Sequence, residues 1–251
     1  MKRIKPSPGE DETLDSFYHG RVLILQKKRG YRFSVDAPLL ADFIRTRPAD
    51  KLLELGAGNG IISLLLSRKP FRLIVCLEVQ PGLADLARRN IALNRLEKKI
   101  VVLEQDLRAF RPEEKFDLVF SNPPYIKSSC GHLSVSEEKS IAKHEIKGEI
   151  FDIMQAAGGV LKQDGRACFI YPVKRRGDFD RAAEGVGLRV KTLRFVYSRS
   201  GEAARWFLAE CRFEAVSQKV LPPLWVHEGT GEYTPEMQAI FAGEDRGPYS
   251  E

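Results

Sequence analysis

From Lys51 onward, short apolar segments alternate with amphipathic ones, and this alternation restricts the fold more than any other feature. It predicts strands at 51–55, 73–77, 100–103, 116–121 and 166–171, with helices at 61–67, 81–93, 149–160 and 179–185. Strands joined by helices predict a doubly wound α/β sheet with right-handed crossovers. Two longer runs, 188–197 and 204–213, predict a closing antiparallel hairpin. The expected architecture is a seven-stranded mixed sheet of the Rossmann-like type.

Two further segments flank this predicted core of residues 49–214. Residues 1–48 predict a loose arm, a hairpin of 21–26 with 30–35 around a basic turn, and a helix. Asp36 is a candidate N-cap of that helix, with Pro38 in its first turn. Residues 215–251 contain prolines, glycines and an acidic end, and predict an irregular tail.

Composition limits the possible classes of function. The chain has 251 residues, 43% hydrophobic and 29% charged, which is typical of a globular protein. No apolar run is long enough to cross a membrane, and the basic start lacks the apolar stretch of a secretory signal. The four cysteines form no C-x-x-C pair, so we expect structural thiols, no metal and a cytoplasmic location.

A stiff tip is predicted where the strand at 116–121 ends in Asn122-Pro123-Pro124-Tyr125. Prolines cannot donate to a sheet ladder, so the strand must stop there. An amide, free carbonyls and an aromatic ring are then held at the carboxyl edge of the sheet. Ligands bind at this edge in open α/β sheets.

Glycines and acids stand at the preceding strand ends. Glu54 precedes a loop containing Gly56, Gly58 and Gly60, where glycines allow close approach to a ligand. Glu78 follows the next strand, where an acid can bond the hydroxyls of a ribose, and Asp106 follows the third. Singly, each acid could be a solvated strand end or a helix cap. Their order along four strand ends indicates a cofactor site.

E-x-G-x-G-x-G, the two later acids and N-P-P-Y together resemble the class I S-adenosylmethionine-dependent methyltransferases, over roughly residues 20–214. The resemblance implies S-adenosylmethionine as cofactor, with Glu78 on the ribose and Asp106 near the adenine. It implies that the cofactor is bound by Glu54, Gly56, Gly58, Gly60, Glu78, Asp106 and Asn122. Ser34 and Asp36 are candidates to close over it, with a helix cap as the alternative role of Asp36.

The tip suits methyl transfer to a planar amino nitrogen, whose lone pair is delocalised. The Asn122 side-chain oxygen and the Pro123 carbonyl could accept its two N–H bonds and stabilise the developing positive charge. Tyr125 could stack on the planar group beside Pro124. These residue types do not separate adenine from cytosine or guanine, nor any nucleobase from a glutamine amide, so other segments must indicate the substrate.

Several segments resemble the bacterial adenine-N6 methyltransferases that modify a valine tRNA: Gln26, 30–36, 141–145 and 221–224. Lys143 stands where that pattern usually has arginine. The resemblance implies tRNA as partner, with His144 either contacting the flipped nucleotide or acting as a cap. The net charge of +6 and a pI near 9.1 permit a polyanion. Lys174, Arg175 and Arg176, at the same predicted edge, are the preferred RNA-binding cluster.

Two alternatives remain open. A protein-glutamine methyltransferase shares N-P-P-Y, but those enzymes normally carry a helical domain ahead of the glycine loop, and only about fifty residues precede it here. A protein that binds the cofactor without catalysing is the other, and the intact tip argues against it. The sequence has no signal for an oligomeric state.

Overall fold

The computed structural model describes residues 8–29, 32, 34–123, 150–214, 217–229, 231–244 and 247. Within these ranges, residues 150–160 form a helix, named α4. The other helices are α1 Asp36–Phe43, α2 Ile61–Leu66, α3 Pro81–Leu93, α5 Arg176–Gly185 and α6 Pro235–Ala242. The strands are β1 Glu12–Phe17, β2 Val22–Lys27, β3 Lys51–Leu55, β4 Leu73–Glu78, β5 Ile100–Glu104, β6 Phe116–Ser121, β7 Leu161–Pro172, β8 Arg189–Tyr197, β9 Ala204–Arg212, β10 Lys219–Val220 and β11 Leu224–Trp225.

The predicted mixed sheet is confirmed, and its seven expected strands lie within a sheet of nine. The order of these seven strands is β5-β4-β3-β6-β7-β9-β8. The first five in this order are parallel to one another, and β9 is antiparallel to both its neighbours. The carboxyl ends of β3, β4, β5, β6 and β7 therefore meet at one edge. This edge carries the candidate site.

Alternate residues of each central strand enter two separate cores, as a sheet covered on both faces requires. Leu52, Ile74 and Leu118 face the core built with α1, α2 and α6. Leu53 and Val75 face the core built with α4 and α5. The near-continuous apolar runs of these strands follow from this double burial.

The predicted N-terminal hairpin is wrong in its pairing. β2 pairs with β1, most of which lies in the segment expected to be a loose arm, and the described residues of the expected partner strand, 32, 34 and 35, form no strand. β1 was missed because its burial opposes its hydropathy: Glu12 is buried while Leu14 is 45% exposed. Arg89 binds the Glu12 carboxylate through both guanidinium NH2 groups, at 2.8 and 2.7 Å. These bonds lower the pKa of Glu12 to about 2, which makes its burial tolerable.

Asn90 of α3 and Asn94, the C-cap of that helix, bind the second edge of β2. Asn90 accepts from Leu25 N at 2.6 Å and donates to Leu25 O at 3.1 Å. Asn94 makes the same pair of bonds to Leu23, at 2.9 and 2.6 Å. The side-chain amides thus take the place of a neighbouring strand, and they attach the hairpin to the main domain.

The tail predicted to be irregular contains three regular elements. β10 and β11 run parallel to β8 and widen the sheet, and α6 follows. Thr234 caps α6 by accepting from Met237 N, Pro235 takes its first turn, and Gly243 ends it with a φ of +69°. These are ordinary helix start and stop signals, which the prediction did not use.

Other boundaries differ from the predictions by a few residues. β7 begins at Leu161 and α5 at Arg176, both earlier than expected. Asp36 is the first residue of α1, whose N-cap position is held by Val35, so Asp36 is not the cap. In the described part of the chain, no helix combines the length and apolarity needed to cross a membrane.

Gly243 offers a test of how the two ends of the chain pack. A Cβ at Gly243 would lie 2.5 Å from the Tyr18 ring, and the residue has a positive φ. Gly201 has a similar φ of +83° with open space around it. We expect Gly243→Ala to lower the free energy of unfolding by about 2–5 kcal/mol through strain plus overlap, and Gly201→Ala by about 1–2 kcal/mol through strain alone. Urea unfolding measures both, and equal losses would contradict the packing of Tyr18 on Gly243.

Candidate functional site

The glycine loop between β3 and α2 is held against the end of β4. Ala57 N donates to Leu77 O at 2.9 Å, and Gly58 N donates to the Glu78 carboxylate at 2.8 Å. The second oxygen of Glu78 accepts from Gln80 N at 2.9 Å. The structure therefore brings together two predicted site residues, Gly58 and Glu78, and fixes the orientation of the Glu78 carboxylate.

The three predicted glycines adopt left-handed backbone conformations, with φ of +70° at Gly56, +58° at Gly58 and +81° at Gly60. Side-chain-bearing residues rarely adopt such values, so the loop requires glycine at these positions. At Gly60 a Cβ would also lie 3.4 Å from the Ala87 Cβ, which shows how closely α2 approaches α3.

Glu54 lies beneath the loop and is fully buried. Its carboxylate accepts hydrogen bonds from the Ser63 hydroxyl and, at 3.7 Å, from the Cys76 thiol. Burial raises the pKa of Glu54 to about 8, so the side chain is largely neutral near pH 7. Its partners are within the protein, and its contact with a cofactor remains a prediction.

Asp106 follows β5 and caps a single 3₁₀ turn, Leu107–Ala109, by accepting from Arg108 N. The Arg108 guanidinium binds the same carboxylate at 2.6 Å and lowers the pKa of Asp106. Asp106 therefore has the capping role that the sequence offered as the alternative to cofactor binding. The carboxylate stays ionised and one-third exposed at the predicted edge.

The tip begins directly beside the glycine loop. Ser121, the last residue of β6, donates its hydroxyl to Leu55 O at 2.7 Å, which links the ends of β6 and β3. Asn122 follows at intermediate exposure and Pro123 is buried. Pro124, Tyr125 and His144, predicted to bind substrate, lie outside the described residues.

The remaining predicted residues lie at α1 and after β7. Ser34 donates to the Asp36 carboxylate at 2.6 Å, and this carboxylate also accepts from Ala37 N. In the basic cluster, Arg175 binds Asp178 and Arg176 binds Asp180, at 3.0 and 2.7 Å, while Lys174 is exposed. The two arginine charges are thus partly compensated within α5.

Sequence reasoning missed two asparagines of the site. Asn59, in the glycine loop, is fully buried, and its side-chain oxygen and nitrogen have no hydrogen-bond partner among the described residues. Asn90 donates to Asn59 O at 3.0 Å and so joins the loop to the hairpin strand β2. The available signal for Asn90 was its spacing from Asn94, four residues further on, on an otherwise apolar helix face. No group of three potential metal-binding side chains occurs in the ranges that the structure covers.

Glu54 predicts a pH dependence of stability. The folded state keeps its proton up to about pH 8, whereas the unfolded chain releases it near the ordinary value of 4.5. Stability contributed by this proton is therefore lost as pH rises from about 4.5 to 8. We expect Glu54→Gln, which keeps the shape but cannot ionise, to gain stability relative to the wild type across this range. Urea midpoints at pH 5, 6, 7 and 8 measure the difference, and a constant difference would refute the raised pKa.

Comparison with known proteins assigns the family. The family model described as "Methyltransferase small domain" matches residues 32–171, more than half of the chain. A protein of Porphyromonas gingivalis named tRNA1(Val) (adenine(37)-N6)-methyltransferase is 28% identical over 88% of this chain and 91% of its own. One of the same name from Phocaeicola vulgatus is 25% identical over 94% and 96%. A crystal structure of a predicted O-methyltransferase from Agrobacterium tumefaciens aligns with a TM-score of 0.66 at 22% identity, covering 83% of this chain and 96% of that one. The chain belongs to the methyltransferase small domain family and is an S-adenosylmethionine-dependent methyltransferase.

Proposed function

We propose that this enzyme methylates an exocyclic amino nitrogen, adenine N6, in a tRNA. The observation that carries the proposal is the position of Asn122 and Pro123. They directly follow Ser121, whose hydroxyl donates to Leu55 O at the end of β3, where the glycine loop begins. This contact supports a position of the Asn122 amide oxygen and the Pro123 carbonyl beside the loop proposed to hold the methyl donor.

The residues present fit S-adenosylmethionine. Glu78, oriented by Gly58 and Gln80, has oxygen lone pairs left for two ribose hydroxyls, and Asp106 can accept from an adenine amino group. The buried amide of Asn59 has no partner among the described residues, and a polar ligand on the loop would supply one. When bound, the cofactor supplies an electrophilic methyl group on its sulfonium.

The tip is proposed to make the substrate nitrogen reactive. Acceptors at the Asn122 side chain and the Pro123 carbonyl hold both N–H bonds, which favours a more tetrahedral nitrogen and stabilises its developing charge. Tyr125 is proposed to stack on the base next to Pro124 and to hold its amino group facing the methyl. Orientation of this kind can contribute about 7–11 kcal/mol. No covalent intermediate and no metal are required.

A tRNA substrate is supported by the names of the relatives, which cover most of the chain at 23–28% identity. A net charge of +6 suits such a polyanion. His144 and the Lys174 cluster are proposed to contact the RNA. The cytoplasm, where tRNA is modified and thiols stay reduced, is the proposed compartment. Of the cysteines, Cys76, Cys168 and Cys211 are free and buried.

Incubation with labelled S-adenosylmethionine and either unmodified total tRNA or a protein extract tests the proposal. We expect label in tRNA, recovered as N6-methyladenosine after nuclease digestion and mass spectrometry. Label confined to protein would overturn the proposal in favour of a glutamine amide substrate. Binding of the cofactor without transfer to either would indicate a non-catalytic protein.

From the proposed role of Asn122 we predict that its substitution impairs catalysis much more than cofactor binding. Asn122→Ala removes an acceptor proposed to act mainly in the transition state, so kcat should fall at least about a hundredfold. The dissociation constant for S-adenosylmethionine, measured by calorimetry, should change only a few-fold. Asn122→Asp, which keeps an acceptor oxygen, should retain more transfer than the alanine variant. Unchanged turnover of Asn122→Ala would sink the proposed role.

Substitutions at Asn90 and Asn94 provide a test variant and a matched control for the support of the glycine loop. Each binds the hairpin strand, but Asn90 also donates to Asn59 O. Asn90→Ala should weaken S-adenosylmethionine binding about fivefold, since one hydrogen bond contributes about 1 kcal/mol. Asn94→Ala should lower stability similarly and leave the affinity within about twofold. Equal effects on affinity would show that Asn90 acts only through the hairpin.

A further inference from the structure

The C-terminal segment presents an aromatic surface that the proposed chemistry does not use. Trp225, the last residue of β11, is 39% exposed although it is large and apolar. Its ring is stacked on Tyr197 of β8, with centroids 6.0 Å apart and planes at 28°. Tyr197 therefore supports Trp225 from one side, as the β8–β11 register requires.

A second stack stands next to the first. His227 and Tyr233 have ring centroids 4.8 Å apart with planes at 20°, and Tyr233 is 39% exposed. Phe241 of α6 packs edge-on against Tyr233. Trp225 and His227 line a cavity of about 410 Å³ that opens to the surface. We name Tyr197, Trp225, His227 and Tyr233 the aromatic platform.

The aromatic platform lies at the same sheet edge as the tip. Trp206 pairs with Pro172 at the carboxyl end of β7, Ala204 pairs with Tyr197, and Trp225 pairs with Tyr197. Each of these residue pairs therefore lies at the edge of the sheet that carries the tip. From β6, which carries Asn122, to β11 the sheet path crosses four strand spacings. At about 4.8 Å each, the separation is roughly 19 Å, a distance that a few nucleotides can span.

Exposed arginines flank the aromatic platform. Arg199 follows β8, and its guanidinium lies against Gly231, where a Cβ would stand 3.6 Å away. Arg205 is exposed and lies over the Trp206 ring at 4.4 Å. In contrast with Arg175 and Arg176, no ion pair joins either of them to another described residue.

Two acids line the cavity and limit what it can hold. Glu236 is bound to Arg194 at 2.8 Å, so its charge is compensated. Glu228 is exposed and would repel a phosphate, but its carboxylate can accept from the amino group of a base. A base therefore suits the cavity, and phosphates suit the arginines outside it.

We propose that the aromatic platform binds an unpaired nucleotide of the RNA substrate, away from the methylated base. The base stacks on Trp225 in the cavity, and Arg199 and Arg205 contact the adjoining phosphates. Stacking on an aromatic ring with cations beside it is the general means of holding single-stranded RNA. This inference rests on the proposed function, since it names a second contact of the same substrate.

Trp225→Ala tests the stack. Loss of one base–aromatic stack costs about 1–3 kcal/mol, so the dissociation constant for tRNA should rise roughly 5- to 150-fold. Trp225→Phe keeps a ring and should retain most of the affinity. Affinity for S-adenosylmethionine and the melting temperature serve as controls for folding. Because the chain has two tryptophans and Trp206 is buried, tRNA should quench fluorescence in the wild type and much less in Trp225→Phe.

Arginine variants test the phosphate contacts. Arg199→Gln and Arg205→Gln should each weaken tRNA binding and reduce the slope of log affinity against log salt by about 0.7–1. Arg189→Gln is the matched control, since Arg189 is exposed at the opposite end of β8, and it should leave that slope unchanged.

The outcomes separate the two proposals. Wild-type affinity and quenching in the Trp225 variants, with tRNA still methylated by the wild type, would overturn the aromatic platform and leave the proposed function intact. A wild-type enzyme that methylates protein but neither binds nor methylates tRNA would overturn both.

Discussion

The hydrogen bond from Gly58 N to the Glu78 carboxylate is the contact on which the site depends. It joins the loop after β3 to the end of β4 and holds the carboxylate in one orientation. Without this acid the loop amide would have to find another acceptor in a buried position, at a cost of about 1–3 kcal/mol. The geometry of the loop thus depends on the same side chain that is proposed to bind the ribose of the cofactor.

A few specific contacts also attach the N-terminal and C-terminal segments to the main domain. Asn90 reaches from α3 to both β2 and the glycine loop, so the N-terminal hairpin supports the site although it stands outside the main sheet. At the other end, β10 and β11 extend β8, and Gly243 brings α6 against Tyr18 of the hairpin. The core domain is therefore supported on one face by both termini, which lie far apart in sequence.

The sequence allowed the core to be predicted because its local and global signals agree. Strands such as Leu73–Glu78 are apolar throughout, as double burial requires, and helices such as Pro81–Leu93 begin with proline. β1 failed because a buried Glu12 and an exposed Leu14 invert the usual pattern. The pairing of Glu12 with Arg89, separated by 77 residues, decides that burial, and no local pattern encodes it. The tail differs, since the signals for α6 at Thr234, Pro235 and Gly243 were present and unused.

By itself the sequence determined the order of strands and helices, the glycine positions and the acids at the strand ends. These follow from short-range physics: left-handed φ requires glycine, proline ends a strand, and apolar periodicity marks burial. Only the tertiary structure decided which side chains share a partner. Burial beside Ser63 keeps the Glu54 side chain neutral. Arg108 forms an ion pair with Asp106, and Trp225 stacks on Tyr197 at the sheet edge that carries the tip. Such contacts depend on how distant strands are brought into register, and that register is a property of the whole sheet.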